Sequence, residues 1–431
     1  MRIGIVGVGH IGTVIAAELG NRGHEIVAVD LDTVKIDNLR LGIPPISEPG
    51  LKELVLKANS LGKMLYTCNF SDLKQCEMIL VAVGTPLGVE GPNLTPLFSA
   101  CEQINSIVNN DCTVVIKSTV PPGTTKKIAS EVLGRANFRV AFVPERLAEG
   151  SAIGEFRSLP MVIGGQTPSD SKYISQLWEE LGFETIIVSD STAAELVKLA
   201  DNAWIDLNIA FGQELAKVCD VLQTDVLSVI SAANTLKKGS SFVNILTPSV
   251  GVGGYCLTKD PYFLHDFARG IGVEISLSYS SRKINEGAPM YLFMRALGLL
   301  DQSKQNTMLV VGIAFKNNTG DVRNSPAIEF IRIAQSFGIS VKWYDPMVLQ
   351  EDLPDELRSI RLNDLPNEKF DLLANLAAHD NYTKVDIDFC LRFLQNDGIF
   401  IDGRRFMNAF EIESLKKIGI RYVGAGRGKS E

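Results

Sequence analysis

A cysteine set behind a run of glycines is the first sign of chemistry in this sequence. The stretch is Gly251-Val252-Gly253-Gly254-Tyr255-Cys256-Leu257-Thr258-Lys259-Asp260. Glycines let backbone approach a ligand closely, and a helical pattern begins near the cysteine. A thiol near a helix N-terminus holds more thiolate than an ordinary one and is a better nucleophile. Asp260, four residues on, shares its face once the helix has started. The competing reading of any cysteine is a small buried hydrophobe. The glycine loop and the Lys259-Asp260 pair favour the nucleophile.

Lys198 and Asn202 are four apart in a helical stretch and share a face. An ammonium and an amide aimed together at one oxygen suit an alkoxide or a tetrahedral oxyanion. A solvated lysine with a polar neighbour has the same spacing. Pro144-Glu145-Arg146-Leu147-Ala148-Glu149-Gly150 follows an apolar strand. Its carboxylates at i and i+4 suit water activation, substrate binding or salt bridges.

The second centre is Gly7-Val8-Gly9-His10-Ile11-Gly12, a GxGxxG turn between a strand and a helix. Gly7 permits the tight turn, Gly9 lets a pyrophosphate approach, and Gly12 lets the helix pack on the strand. The helix N-terminus offers N–H groups and partial positive charge to phosphates. Asp30 ends the next strand about 20 residues on. It can accept from both ribose hydroxyls and would repel a 2′-phosphate, so NAD is favoured over NADP. Gly84-Thr85-Pro86 closes another strand and would lie beside the cofactor crevice, or is only a tight turn. Thr119, in Lys117-Ser118-Thr119-Val120-Pro121-Pro122-Gly123-Thr124, could place a hydroxyl near the nicotinamide or a catalytic water, or simply cap a turn.

The elements that must position these groups read as α/β. Strands are predicted at 2–7, 25–30, 78–83, 113–117, 139–143 and 161–164, with a helix over 11–22; helix-length segments separate the later strands. One long amphipathic helix is predicted over 191–220, and helices continue through 225–235 and 260–300. Residues 301–306 are polar and linker-like. Strands return at 308–312, 339–344, 370–374 and 398–401. The reading is two Rossmann-like doubly wound domains, 1–190 and 301–431, joined by a helical domain, 191–300. The glycine-rich charged tail from 424 is expected to be disordered.

Composition agrees with a large globular chain. It has 431 residues, 45% hydrophobic and 21% charged, enough for two or three domains. A net charge of -8 without a basic run disfavours a nucleic-acid partner. Seven scattered cysteines and four histidines show no CxxC or HExxH spacing, so neither a disulfide framework nor a metal site is expected, and a reducing cytosol fits. No run of about 18 apolar residues occurs, so no membrane span is expected.

Taken in order, GVGHIG, PPISEPGL (44–51), VAVGTP, KSTVPPGT, PERLAEG, AELVKLADNAW (194–204), GVGGYCLTKD, GIAFKNNTGDVRNSPA (312–327) and DGRR (402–405) resemble the UDP-glucose/GDP-mannose dehydrogenase family. The resemblance spans nearly the whole chain. It implies a helical dimerising centre, hence a homodimer, two NAD reduced per product, a UDP-sugar substrate, and a place in capsule and surface-polysaccharide synthesis. It makes Cys256 the thiohemiacetal and thioester nucleophile. Lys198 and Asn202 would stabilise oxyanions. Asp260 would assist proton transfer with a water held by Thr119, and Glu145 or Glu149 would support the hydrolytic water. Implied cofactor contacts are Gly7, Gly9, His10, Ile11, Gly12, Asp30, Lys35, Gly84, Thr85, Pro86, Thr119 and Glu149. Implied substrate contacts are Glu145, Arg146, Leu147, Lys198, Asn202, Asn244, Gly253, Lys316 and Arg404.

Several segments resemble the subgroup acting on UDP-N-acetylhexosamines, UDP-N-acetylmannosamine in particular. They are Pro144-Glu145-Arg146, Asp206 to Phe211, Val243 to Leu246 and Asp260 to Phe263. UDP-glucose enzymes generally have Phe where Arg146 stands. The chain departs from that subgroup at Ile205, where an Arg commonly precedes the Asp, at Ser249-Val250 in place of Gly-Pro, and at Tyr255 in place of His. Lys259 resembles the UDP-glucose and GDP-mannose enzymes, so UDP-glucose is the alternative. A single-hydride β-hydroxyacid dehydrogenase would need neither Cys256 nor a third domain. A non-catalytic nucleotide-sugar sensor should have lost the thiol, the lysine or the dinucleotide turn.

Overall fold

A computed structural model describes residues 1–46, 48–88, 91–108, 111–134, 138–301, 303–349, 353–380 and 385–428. The chain divides into two units. One comprises Met1–Asp201 with Asp266–Val273; the other comprises Asn202–His265 with the chain from Glu274 onward.

In the first unit short apolar runs become strands β1 (Arg2–Val6), β2 (Glu25–Val29), β3 (Met64–Thr67), β4 (Met78–Val81), β5 (Thr113–Ile116), β6 (Arg139–Phe142), β7 (Met161–Gly165) and β8 (Thr185–Ile187). Among the described residues they form one sheet in the order β3-β2-β1-β4-β5-β6-β7-β8. Pairing is parallel except between β6 and β7. Alternation along β4 divides the core. Met78 and Leu80 join Ile3, Ile5 and the helix His10–Asn21 on one face, while Ile79 and Val81 join Leu97 and Ile104 on the other. Strand order reverses at β1 and β4, which is where such sheets bind ligands, at their carboxyl ends.

The second unit has a parallel sheet of β9 (Thr307–Val311), β10 (Ser340–Tyr344), β11 (Phe370–Asn375), β12 (Leu394–Asp402) and β13 (Arg421–Gly424), in the order β10-β9-β11-β12-β13. Met308 and Val310 face one core cluster, Leu309 and Val311 the other. The fold class is therefore α/β, with a Rossmann-like sheet in each unit. Between the sheets in sequence come the long helix Ser191–Leu222 and the helices Val226–Ala233, Asp260–Gly270, Leu277–Glu286 and Ala288–Leu297. No helix among the described residues is long and apolar enough to cross a membrane.

Sequence patterning misses β3, β8 and β13. All three are edge strands, and an edge strand need not carry a continuous apolar run. The tail requires a correction. Disorder was expected from 424, yet Gly424 closes β13, Ala425 is buried, and the N–H groups of Gly426 and Gly428 donate to Asp220 at 3.1 and 2.9 Å. Arg427 meets Asp225 at 2.5 Å. The glycines here serve contact: a Cβ on Gly426 would lie 2.5 Å from Val226 Cγ1. Residues 429–431 lie outside the described residues.

Candidate active site

In the first unit the GxGxxG turn has the geometry a dinucleotide needs. Gly7 has φ +89°, and a Cβ there would sit 2.8 Å from the Ala82 carbonyl oxygen. A Cβ on Gly12 would lie 2.0 Å from the Gly7 oxygen, so helix and turn are in backbone contact. Gly9 differs: a Cβ built there meets nothing within 4 Å. Protein packing does not demand that glycine, and the open space lies at a helix N-terminus, as a pyrophosphate cradle requires. Asp30 follows β2 directly. Its Oδ2 accepts from Val8 N at 3.0 Å and from Lys35 Nζ at 2.9 Å. Asp30 and Lys35 are thus brought together at the turn. Ile11 lies in the first turn of the same helix. Beside them, Thr85 donates to the Thr119 carbonyl at 2.7 Å and ties the loop after β4 to the loop after β5. Gly84, like Gly9, faces open space.

The carboxylate loop lies at the end of β6. Glu145 Oε1 accepts from Leu147 N at 2.8 Å, and Oε2 is 3.4 Å from Lys117 Nζ. Burial pushes the Lys117 ammonium down, Glu145 pulls it back up, and the like charge of Lys198 adds to the lowering. Lys198 itself is buried. Arg146 donates to Asp201 at 3.1 Å, and Glu149 is half-buried.

Two more buried acids hold this frame. Glu48 accepts from Gly150 N at 2.7 Å and Ala152 N at 2.9 Å and faces His10 Nε2 at 3.1 Å. His10 therefore turns its ring to the carboxylate loop's support. Glu195 accepts from Gly123 N at 2.5 Å and Thr125 N at 2.7 Å, fastening the Thr119 loop to the helix Ser191–Leu222. Burial pushes Glu195 up against those two hydrogen bonds. Spacing singles out none of Glu48, Lys117 and Glu195. The available signal for Lys117 was a charge directly after the apolar run Thr113–Ile116; Glu195 reads as an ordinary charge on an amphipathic helix.

In the second unit Cys256 is exposed in the turn before the helix Asp260–Gly270, and its carbonyl accepts from Asp260 N at 2.9 Å. The contrast with Cys76, Cys101 and Cys112 is one of exposure, since all three are buried. Burial pushes the Cys76 thiol up to about 11, and Cys101 and Cys112 to about 12. Asp260 is fully buried, with Oδ1 2.6 Å from Lys259 Nζ and Oδ2 2.5 Å from Asn202 Nδ2. The glycines before Cys256 mainly serve protein contact: a Cβ on Gly253 would lie 2.7 Å from Asn324 O and from Phe315 Cβ. Gly254 N donates to the Arg323 carbonyl at 3.0 Å, so the thiol loop is seated on the loop after β9 that carries Lys316. Arg404, half-buried, donates to the carbonyls of Leu376 at 3.0 Å and Phe315 at 2.5 Å, and desolvation pushes it down to about 10. Asn244 is exposed; its carbonyl accepts from Asn208.

An open-faced dinucleotide turn in one unit and, in the other, an exposed thiol in the turn before the helix Asp260–Gly270 define the class: a dinucleotide-dependent oxidoreductase whose chain carries a candidate nucleophile. Models of the UDP-glucose/GDP-mannose dehydrogenase family match residues 1–182 (NAD binding domain), 192–287 (central domain) and 309–409 (UDP binding domain). The chain belongs to this family and is an NAD-dependent nucleotide-sugar dehydrogenase. It is 30% identical to a UDP-N-acetyl-D-mannosamine dehydrogenase of Pyrococcus horikoshii, covering 99% of this chain and 100% of that one. It is also 30% identical to a UDP-glucose 6-dehydrogenase of Bacillus subtilis, covering 99% and 93%. A solved structure of a UDP-D-ManNAc dehydrogenase from Pyrococcus horikoshii superposes with a TM-score of 0.86 at 29% identity, covering 99% of each chain.

Proposed function

We propose that the enzyme oxidises the C6 alcohol of a UDP-N-acetylhexosamine, of the N-acetylmannosamine type, to a carboxylate through a thioester on Cys256. The observation that carries this reading is the exposed Cys256 thiol one turn before the buried Asp260, whose two oxygens are fixed by Lys259 and Asn202. Bound NAD supplies the hydride acceptor, once for each of two oxidations. Gly9 and the helix His10–Asn21 would hold its pyrophosphate, and Asp30 its ribose. The sulfur of Cys256 adds to the C6 aldehyde, which keeps it bound and restores a carbon from which hydride can leave. Lys198 and Asn202 stabilise the oxyanions. Asp260 assists proton transfer with a water held by Thr119. Glu145, or Glu149, supports the water that cleaves the thioester. Arg146, Leu147, Asn244, Gly253, Lys316 and Arg404 contact the nucleotide sugar.

Arg146, where UDP-glucose enzymes generally have Phe, supports the acetamido sugar. UDP-glucose is the second reading: Lys259 favours it, and the two named relatives match equally well at 30%. The three segments 1–190, 191–300 and 301–431 are our proposed domains. The exposed Trp204, Phe211 and Val218, seven apart on one helix, are our proposed face for a second copy in a homodimer in the cytoplasm. The deciding experiment is a turnover screen on UDP-glucose, UDP-N-acetylglucosamine, UDP-N-acetylmannosamine, UDP-N-acetylgalactosamine and GDP-mannose, counting NADH per acid. Two NADH per uronate with UDP-N-acetylmannosamine is the expected result, with Cys256→Ala forming acid on the order of 10^4-fold more slowly. One NADH per product, or normal uronate formation by Cys256→Ala, would overturn it.

A further inference from the structure

We propose that Lys117 is a positioning residue for the hydrolytic half of the reaction, holding the Glu145 carboxylate so that it takes the proton of the attacking water. The inference rests on the Cys256 thioester proposed above. Lys117 and Glu145 follow adjacent parallel strands, β5 and β6, whose last residues Ile116 and Phe142 are paired. Both side chains therefore emerge at the carboxyl edge, where sheets of this kind bind their ligands. They differ in exposure: the Lys117 side chain is 2% exposed and that of Glu145 is 12%. The ammonium is walled in by the Val143 carbonyl at 3.3 Å, the Glu145 carboxylate at 3.4 Å and the Trp178 ring at 5.8 Å. A cation so enclosed acts on a reacting group through the more exposed carboxylate.

The carboxylate is held at both ends, by Leu147 N on Oε1 and Lys117 on Oε2. A carboxylate has about four acceptor positions. Two are spent on orientation, and those left on the exposed side can accept from water. A purely structural role explains the pair poorly. Burying a lysine and a glutamate costs desolvation that their attraction repays only in good geometry, and apolar residues of like volume are often as stable. Neither β5 nor β6 needs a charge to pack. Lys198, whose charge acts on Lys117, adds a second ammonium to the same neighbourhood. A neighbourhood with two ammonium groups suits a site that must hold a tetrahedral oxyanion and then a carboxylate product.

In the step itself a water proton passes to Glu145 as the water oxygen bonds to the thioester carbon. The C–S bond breaks and its electron pair leaves on Sγ of Cys256. Sγ takes the proton from Glu145, and the new carboxylic acid releases its own proton to solvent. Lys117 stays in place throughout.

The test uses the full-length enzyme with NAD and UDP-N-acetylmannosamine, or UDP-glucose if that is the sugar the wild type oxidises. Lys117→Met should give a first-turnover burst of two NADH per site near the wild-type rate, because both oxidations precede hydrolysis. Steady turnover should then fall by about 10^2-fold. The acyl adduct on Cys256 should accumulate and be visible by intact-mass spectrometry. Lys117→Gln, which keeps a donor and drops the charge, should behave alike and serves if the methionine variant does not fold; Lys117→Arg should recover much of the steady rate. Steady turnover within twofold of wild type overturns the proposal. So does a burst that falls in step with turnover and leaves no adduct, as a structural collapse would. A wild type that never forms the adduct, even on rapid acid quenching, sinks the thioester reading and this inference with it. The variant arms fail alone if only Lys117 is wrongly placed.

Discussion

Asn202 donates its amide to Asp260 across 2.5 Å, in surroundings that leave the aspartate no exposure to solvent. The other oxygen of Asp260 holds Lys259 at 2.6 Å, and the Lys259 ammonium lies 4.4 Å from the Phe263 ring centroid and 5.0 Å from that of Tyr255. An amide nitrogen carries two N–H bonds. With one directed at Asp260, the direction of the second is set, which is what an oxyanion donor requires.

Asp260→Asn should cost about 3–5 kcal/mol of stability, because it strands the Lys259 ammonium where water cannot reach it. Asp260→Asn combined with Lys259→Met should be less damaging than the sum of the two single changes. Urea unfolding of the three variants measures this. Additive losses would mean that the pair is not a coupled buried unit.

The glycines at 9 and 12 should fail in different ways. Gly9→Ala places its methyl in open space, so stability should stay within about 0.5 kcal/mol while NAD binding weakens by about tenfold or more. Gly12→Ala drives a Cβ to 2.0 Å from the Gly7 oxygen and must move backbone; about 1–3 kcal/mol of stability should be lost. Thermal unfolding with and without NAD separates the two. Equal destabilisation would remove the argument that Gly9 faces a ligand.

Glu48 should make part of the fold's acid sensitivity. Burial pushes its carboxyl up, but His10 and the N–H groups of Gly150 and Ala152 outweigh this and hold it below its ordinary 4.5. A lowered carboxyl stabilises the fold above the unfolded value and loses that contribution as pH falls through the folded value. Wild type should therefore exceed Glu48→Gln in stability by about 1–3 kcal/mol at pH 7, with the gap closing below pH 4.5. Denaturant unfolding across pH 3–7 reads the difference, about constant above the carboxylate range. A gap that widens in acid would reverse the sign and refute the account.

Much of the architecture was legible because its signals are local. Continuous apolar runs marked the inner strands β1, β4, β5 and β9, and one broad stripe marked the helix Ser191–Leu222. The GxGxxG turn with Asp30, and Cys256 behind its glycines with Asp260 one turn on, were visible from residue type and spacing. The reason for individual glycines was less legible. Gly7 and Gly12 pack as read, but Gly253 makes room for Phe315 and Asn324, which lie more than sixty positions further along the chain. A glycine in sequence says that something comes close, not what.

Sequence by itself determined which segments would be the inner strands and the long helix, where the glycine turn after β1 lies, and which cysteine follows a run of glycines, because each follows from residue type, propensity and periodicity over a few residues. Tertiary structure alone decided that Lys117 meets Glu145, that Glu48 braces the loop at 150–152, that Glu195 clamps the loop at 123–125, and that the glycine tail to 428 lies down on Asp220 and Asp225. Those partners lie from 28 to 208 positions apart. Their meeting depends on strand order and on which loops share a sheet edge, and that is settled only when the whole chain has packed.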